Sequence, residues 1–136
     1  MVVKTYRGWQ GHFICQCHFH LNTLLDLDGF KIVVSTVGNY RNWRDDKVES
    51  IGHNRYWETM AFESSYDKFD DANVSKQVNF DSEWAWASPE DELLAQVGHF
   101  TAVAEIEAKM LSGEITKDSW VEDNGYFSFQ QPASQP

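Results

Sequence analysis

The sequence predicts an α+β fold, a four-stranded antiparallel sheet with one long C-terminal amphipathic helix packed on one face. Three observations carry that prediction. Alternating apolar and polar residues recur in four short β-rich runs before residue 81, a Ser-Pro helix start stands at Ser88-Pro89, and helical spacing of apolar residues follows it as far as Gly113. A chain of 136 residues fits one domain, taken as 1–136, with 114–136 as a partly ordered C-terminal tail.

The first strand is expected from His12 to Leu25. Phe13, Cys15, Cys17, Phe19 and Leu21 fall on one side, and His12, Ile14, Gln16, His18 and His20 on the other. Asp26 to Gly29 supplies a turn, and Phe30 to Val37 a second strand, so the two form a hairpin. Gly38 to Asn54 is polar and glycine-punctuated and is expected to be a long hairpin loop. A third strand runs from Arg55 to Glu63, with Tyr56, Glu58, Met60 and Phe62 opposite Arg55, Trp57, Thr59 and Ala61. After an acidic connection over residues 64–73, Val74, Val78 and Phe80 mark a fourth strand whose register around Lys76 is less regular.

Ser88 is a good N-cap, Pro89 suits the first helical position, and Glu90, Asp91 and Glu92 complement the positive end of the helix dipole. Leu93, Val97, Phe100, Ala104, Ala108 and Leu111 form the expected packing stripe, and Gly113 stops the helix. Val103, Ile106 and Met110 widen that stripe beyond what one sheet face absorbs, which predicts a homo-oligomer. One helix covers one face of a sheet, so the other is expected to meet water, a second subunit or a ligand.

Composition narrows the function classes. Residues 1–60 hold seven Lys and Arg against six Asp and Glu, whereas residues 61–136 hold four against fifteen, within a net charge of −10. Such a chain is repelled by nucleic acid and anionic membranes as a whole, so neither is an expected partner, yet its first half can carry a local anion site. No run is apolar enough to span a bilayer and no signal-peptide core stands at the start, which predicts a cytoplasmic protein. Cys15 and Cys17 are two apart, a spacing unfavourable to a disulfide within one strand, and reduced thiols agree with that compartment.

Tyr40-Arg41-Asn42-Trp43-Arg44 is the sharpest local signal for anion binding, because guanidiniums contact phosphate bidentately while Tyr or Trp stacks on a base. An inert loop with both arginines paired to Asp45 and Asp46 is the competing reading. His12, His18 and His20, with Lys31, Ser35, Arg55, Trp57 and Thr59 on matching strand faces, compose a polar, partly basic platform for an anionic ligand with a ring, the competing reading being an ordinary solvated sheet face or a dimer surface. The expected ligand-binding set is therefore Tyr40, Arg41, Trp43, Arg44, Arg55, Trp57, His18 and His20. Alternation sets the cysteines opposite the histidines, against a zinc site, and no metal or other cofactor is expected. His-Glu-x-x-His, Gly-x-Ser-x-Gly and phosphate-loop patterns are absent, so no catalytic residue is assigned.

Between Arg7 and Phe80 the strings Arg7-Gly-Trp9-x-Gly11-His12-Phe-Ile-Cys15, Asn22-Thr-Leu-Leu25, Ile32-Val-Val-Ser-Thr-Val-Gly38, Tyr56-x-Glu58-Thr-Met-Ala-Phe62 and Asp71-x-x-Val74-Ser75 resemble those of a group of small tailed-phage accessory proteins. That resemblance implies a phage protein acting in the host cell cytoplasm. Small phage proteins of this size often resemble counter-defence factors. With the basic aromatic patch, this gives the expectation of a sponge that binds and sequesters a small phosphate-bearing nucleotide signal of host immunity. Two alternatives stay open. One is an acidic decoy that inhibits a host nucleic-acid-binding defence protein through Asp67, Asp70, Asp71, Asp81, Glu83, Glu90, Asp91 and Glu92. The other is a nucleotide hydrolase using His12, His18 or His20 with Glu58 or Asp26 as partner.

Overall fold

The computed structural model describes residues 1–6, 17–40, 56–64 and 72–118. It is α+β, an antiparallel sheet with one C-terminal helix, and it has more strands than the sequence suggested. The strands are β1 (Val3–Tyr6), β2 (Cys17–Leu27), β3 (Phe30–Tyr40), β4 (Trp57–Ser64), β5 (Ala72–Val78) and β6 (Ala85–Trp86). Their order is β1-β2-β3-β4-β5, and β6 pairs with β4 beyond the end of β5. β1 and β6 have four and two residues, too short to display an alternation of their own. Among the predicted strand positions, 12–16 and Arg55 lie outside the described residues.

The β2–β3 hairpin turns at Asp28 and Gly29, both with positive φ, and the Asp26 carboxylate accepts from Gly29 N–H at 2.8 Å. The irregular register around Lys76 is a bulge: Phe62 pairs with Gln77, whereas the next residue, Glu63, pairs with Asn73.

Helix α1 (Glu92–Ser112) follows a single 3₁₀ turn over Pro89–Asp91. Ser88 builds a capping box: its hydroxyl accepts from Glu90 N–H, and its own N–H donates to the Asp91 carboxylate at 3.2 Å. The Ser88 hydroxyl also bonds the Glu90 carboxylate, holding that acid below its ordinary pKa. Ser88→Ala should lower the unfolding free energy by about 1 kcal/mol. An unchanged urea midpoint would show that the cap contributes nothing. Gly113 ends the helix at φ 79°.

The packed face of α1 is not the predicted stripe. Ala95, Gly98, His99, Ala102, Val103, Ile106 and Met110 are buried against the sheet, whereas Leu93, Val97, Phe100 and Leu111 are 51–70% exposed. Val103 and Ile106, assigned above to an oligomer surface, belong to the core with Leu25, Ile32, Val34, Ala61 and Trp84. The reason lies in how closely the helix approaches. Trp86 lies so near the helix backbone at Gly98 that a Cβ there would strike its ring. The face that packs therefore carries small and polar residues where a simple hydrophobic count expects large ones.

The other sheet face is also buried in part. Leu24, Val33, Met60 and Phe62 form a second apolar cluster there, each at most 9% exposed. At the C-terminal end of α1, Lys109 lies 3.1 Å from Glu105 and 3.2 Å from Asp81. Burial opposes its charge, but hydrogen bonds to these carboxylates and their negative charge outweigh that effect and raise its pKa. Its raised pKa stabilises the fold below the ordinary lysine pKa. That stabilisation is lost only as pH rises through the higher folded value, so neutral pH leaves it intact. Ile115 follows, buried, with its N–H on Lys109 C=O at 3.1 Å, so this one residue of the expected tail joins the core while its neighbours 114 and 116–118 are exposed.

Candidate ligand-binding site

Strand register decides which predicted site residues can act together. Residues directly opposite one another on paired strands share a face. His20 stands opposite Val37, and Val37 opposite Glu58; Asn22 stands opposite Ser35, and Ser35 opposite Met60. These rows make one face. Thr23, Val34 and Ala61 form a row of the other, as do Thr36 and Thr59, and that face receives the helix.

The predicted platform is split by this register. Position 20 shares a row with Glu58, and Ser35 lies on that same face, whereas Trp57 and Thr59 are one residue out of phase and point to the helix. Trp57 is 1% exposed, crosses over Gly38, and donates its indole N–H to Ser88 C=O at 2.7 Å. Its ring is a structural tie between β4 and the start of α1, not the stacking surface expected of it. Thr59 is fully buried and bonds Thr36 at 2.6 Å.

The hydrolase pairing also meets the register. His20 and Glu58 are two strands apart, roughly 10 Å between backbones. Asp26 lies at the opposite end of β2, opposite Lys31 and engaged with the turn. His12, Arg41, Trp43, Arg44 and Arg55 fall outside the described residues, and for His18, His20 and Tyr40 the backbone position is what is described.

The described strand ends meet at one end of the sheet. β2 begins at Cys17, opposite Tyr40, where β3 ends; β4 begins at Trp57. The chain that links β3 to β4, which includes Arg41, Trp43, Arg44 and Arg55, leaves the sheet at Tyr40, opposite Cys17, and rejoins it at Trp57, with β3 between β4 and β2. Two further polar residues stand on the same face as position 20, Glu58 at that end and Asn22 midway along β2. Asn22 is 5% exposed and its Oδ1 has no hydrogen-bond partner among the described residues, and Glu58 is 2% exposed. A buried, unpaired amide oxygen costs roughly 1–3 kcal/mol, a cost that a donor group of a bound molecule would offset. Asn22 as a polar residue in β2 was the available signal, but it is indistinguishable in sequence from a solvated residue.

The helix face holds a second polar group. His99 is fully buried, with Nε2 2.8 Å from the Thr23 hydroxyl and Nδ1 2.8 Å from the Thr36 hydroxyl. Both ring nitrogens are thereby engaged and the cluster is closed from solvent, so its work is to fix helix position. Of the acidic run, Asp81 is paired to Lys109 and Glu90 and Asp91 are used by the cap, while Asp67, Asp70 and Asp71 lie outside the described residues. Among the described residues no group of three His, Cys, Asp or Glu could hold a metal ion, and no helix is long and apolar enough to cross a membrane.

The chain matches no protein-family model, no curated protein and no solved structure.

Proposed function

We propose that the protein binds and sequesters a small phosphate-bearing nucleotide at the end of the sheet where β2 starts, β3 ends and β4 starts. The observation that carries this reading is the convergence there of positions 18, 20 and 40 with both ends of the Arg41–Arg55 connection. Arg41, Arg44 and Arg55 supply bidentate donors for phosphate, and Tyr40 and Trp43 the rings for a base. Asn22 Oδ1 and the Glu58 carboxylate are acceptors, suited to the donor groups of a nucleoside, its ribose hydroxyls and exocyclic amine. Trp57 has no direct part in this site. The role of such binding, in keeping with the likeness to small phage proteins, is to withdraw a host signalling nucleotide from its receptor.

Titration calorimetry with cyclic dinucleotides, cyclic trinucleotides, cyclic ADP-ribose isomers and inorganic phosphate tests the reading. One nucleotide class should bind, be recovered unchanged after heating the complex, and lose at least about tenfold in affinity on Arg41→Glu or Arg44→Glu, the scale of one charge-assisted contact. No heat with any member of the panel at high micromolar concentration would remove the proposal.

Asn22→Leu separates function from stability. Removing a buried amide whose oxygen has no partner among the described residues should leave the unfolding free energy unchanged or raise it, while affinity for the nucleotide falls about tenfold. A destabilised Asn22→Leu that binds normally would assign Asn22 to the fold alone.

A further inference from the structure

We infer that the outward stripe of α1 is a homodimer seam, formed by two copies of the helix packed antiparallel about a two-fold axis near Phe100–Ala104. Leu93, Val97, Phe100, Ala104, Ala108 and Leu111 recur every three or four residues, the spacing of a helix–helix seam. All six lie on the exposed side of the helix. Between Leu93 and Ala104 the surface is a shallow apolar concavity of ≈ 540 Å³.

Shape selects the occupant and its direction. The large residues Val97 and Phe100 lie in the N-terminal half of the stripe and the small residues Ala104 and Ala108 in the C-terminal half. Antiparallel pairing sets Phe100 of one copy over Ala104 of the other, Val97 over Ala108, and Leu93 over Leu111, large against small at the centre. Parallel pairing would set Phe100 on Phe100 and leave gaps between facing alanines. It would also bring together two acidic first turns, Glu90, Asp91 and Glu92, which antiparallel helices hold about 30 Å apart with opposed dipoles.

Area is consistent with a second copy. The Tyr6 ring, 57% exposed on edge strand β1, lies 6.4 Å from Phe100 and extends the patch. The exposed large side chains amount to on the order of 600 Å² per copy, at the small end of stable interfaces near ~800 Å² per partner. The ion pair of Lys4 with Glu107 at 2.9 Å and the contact of Gln96 with Glu92 at 3.2 Å give the stripe a polar rim. This seam lies on the opposite side of the sheet from Asn22 and Glu58, so it stands or falls separately from the nucleotide site.

Sedimentation of the full chain over a concentration series tests the inference. The expected result is a monomer–dimer equilibrium, with the dissociation constant raised at least about tenfold by Phe100→Glu, while the circular dichroism and the urea midpoint measured at concentrations where both proteins are monomeric stay unchanged. Phe100→Lys and Ala104→Glu should each weaken self-association, and an equimolar mixture of the two should form a heterodimer, since antiparallel packing brings these positions together. A wild-type monomer at several hundred micromolar would overturn the inference, as would a dimer indifferent to Phe100→Glu. Failure of the mixture to associate would overturn the antiparallel pairing.

Discussion

His99→Leu is expected to lower the unfolding free energy by about 2–3 kcal/mol, although leucine is apolar and close in size. The Thr23 hydroxyl would lose the ring nitrogen it contacts at 2.8 Å, and Thr36 would retain Thr59 alone. Both hydroxyls are buried, so neither recovers a bond from water. His99→Ala should cost more, about 3–5 kcal/mol, because a cavity is added to the unmade bonds. The diagnostic variant is the double one. Thr23→Val with His99→Leu removes donor and acceptor together and should be more stable than His99→Leu alone, a coupling of about 1–2 kcal/mol in urea denaturation. Additive effects would mean that histidine and threonine do not share a buried bond.

Gly98→Ala distinguishes two physical effects by sign. Helix propensity alone predicts that alanine stabilises an internal helical glycine by about 1 kcal/mol. The added methyl would instead collide with the six-membered ring of Trp86, itself 6% exposed and clustered with Tyr56, Trp57 and Ala95. Overpacking of about 1–3 kcal/mol or more outweighs propensity, so net destabilisation is expected. Trp86→Leu should relieve the clash, making Gly98→Ala neutral or favourable in that background. A thermal midpoint raised by Gly98→Ala in the wild-type protein would show that helix and β6 are not in such close contact.

These two residues also explain which parts of the fold were legible in sequence. Ser88-Pro89 and Gly113 announced the limits of α1 because caps are local chemistry, and Asp26 to Gly29 announced the hairpin for the same reason. Which side of α1 packs depends on distant partners. Gly98 admits Trp86 and His99 serves two threonines, so the core face scores as less hydrophobic than the outer one. Likewise, Phe62 and Met60 are buried on one face of β4 while Trp57 and Ala61 are buried on the other, and alternation no longer distinguishes inside from outside. The mistaken phase of Trp57 followed from that. For the proposed site, Arg41 and Arg44 were candidates by residue chemistry alone, whereas placing Asn22 on the same face as position 20 required the β2–β3–β4 register.

Amide NMR during titration with the nucleotide that binds tests the central claim most directly. Shifts should concentrate at residues 18–22, 37–44 and 55–58, with the outward residues Leu93, Val97 and Leu111 unmoved. Perturbation centred on α1, or spread without regard to the start of β2 and the end of β3, would contradict a nucleotide site at that end of the sheet.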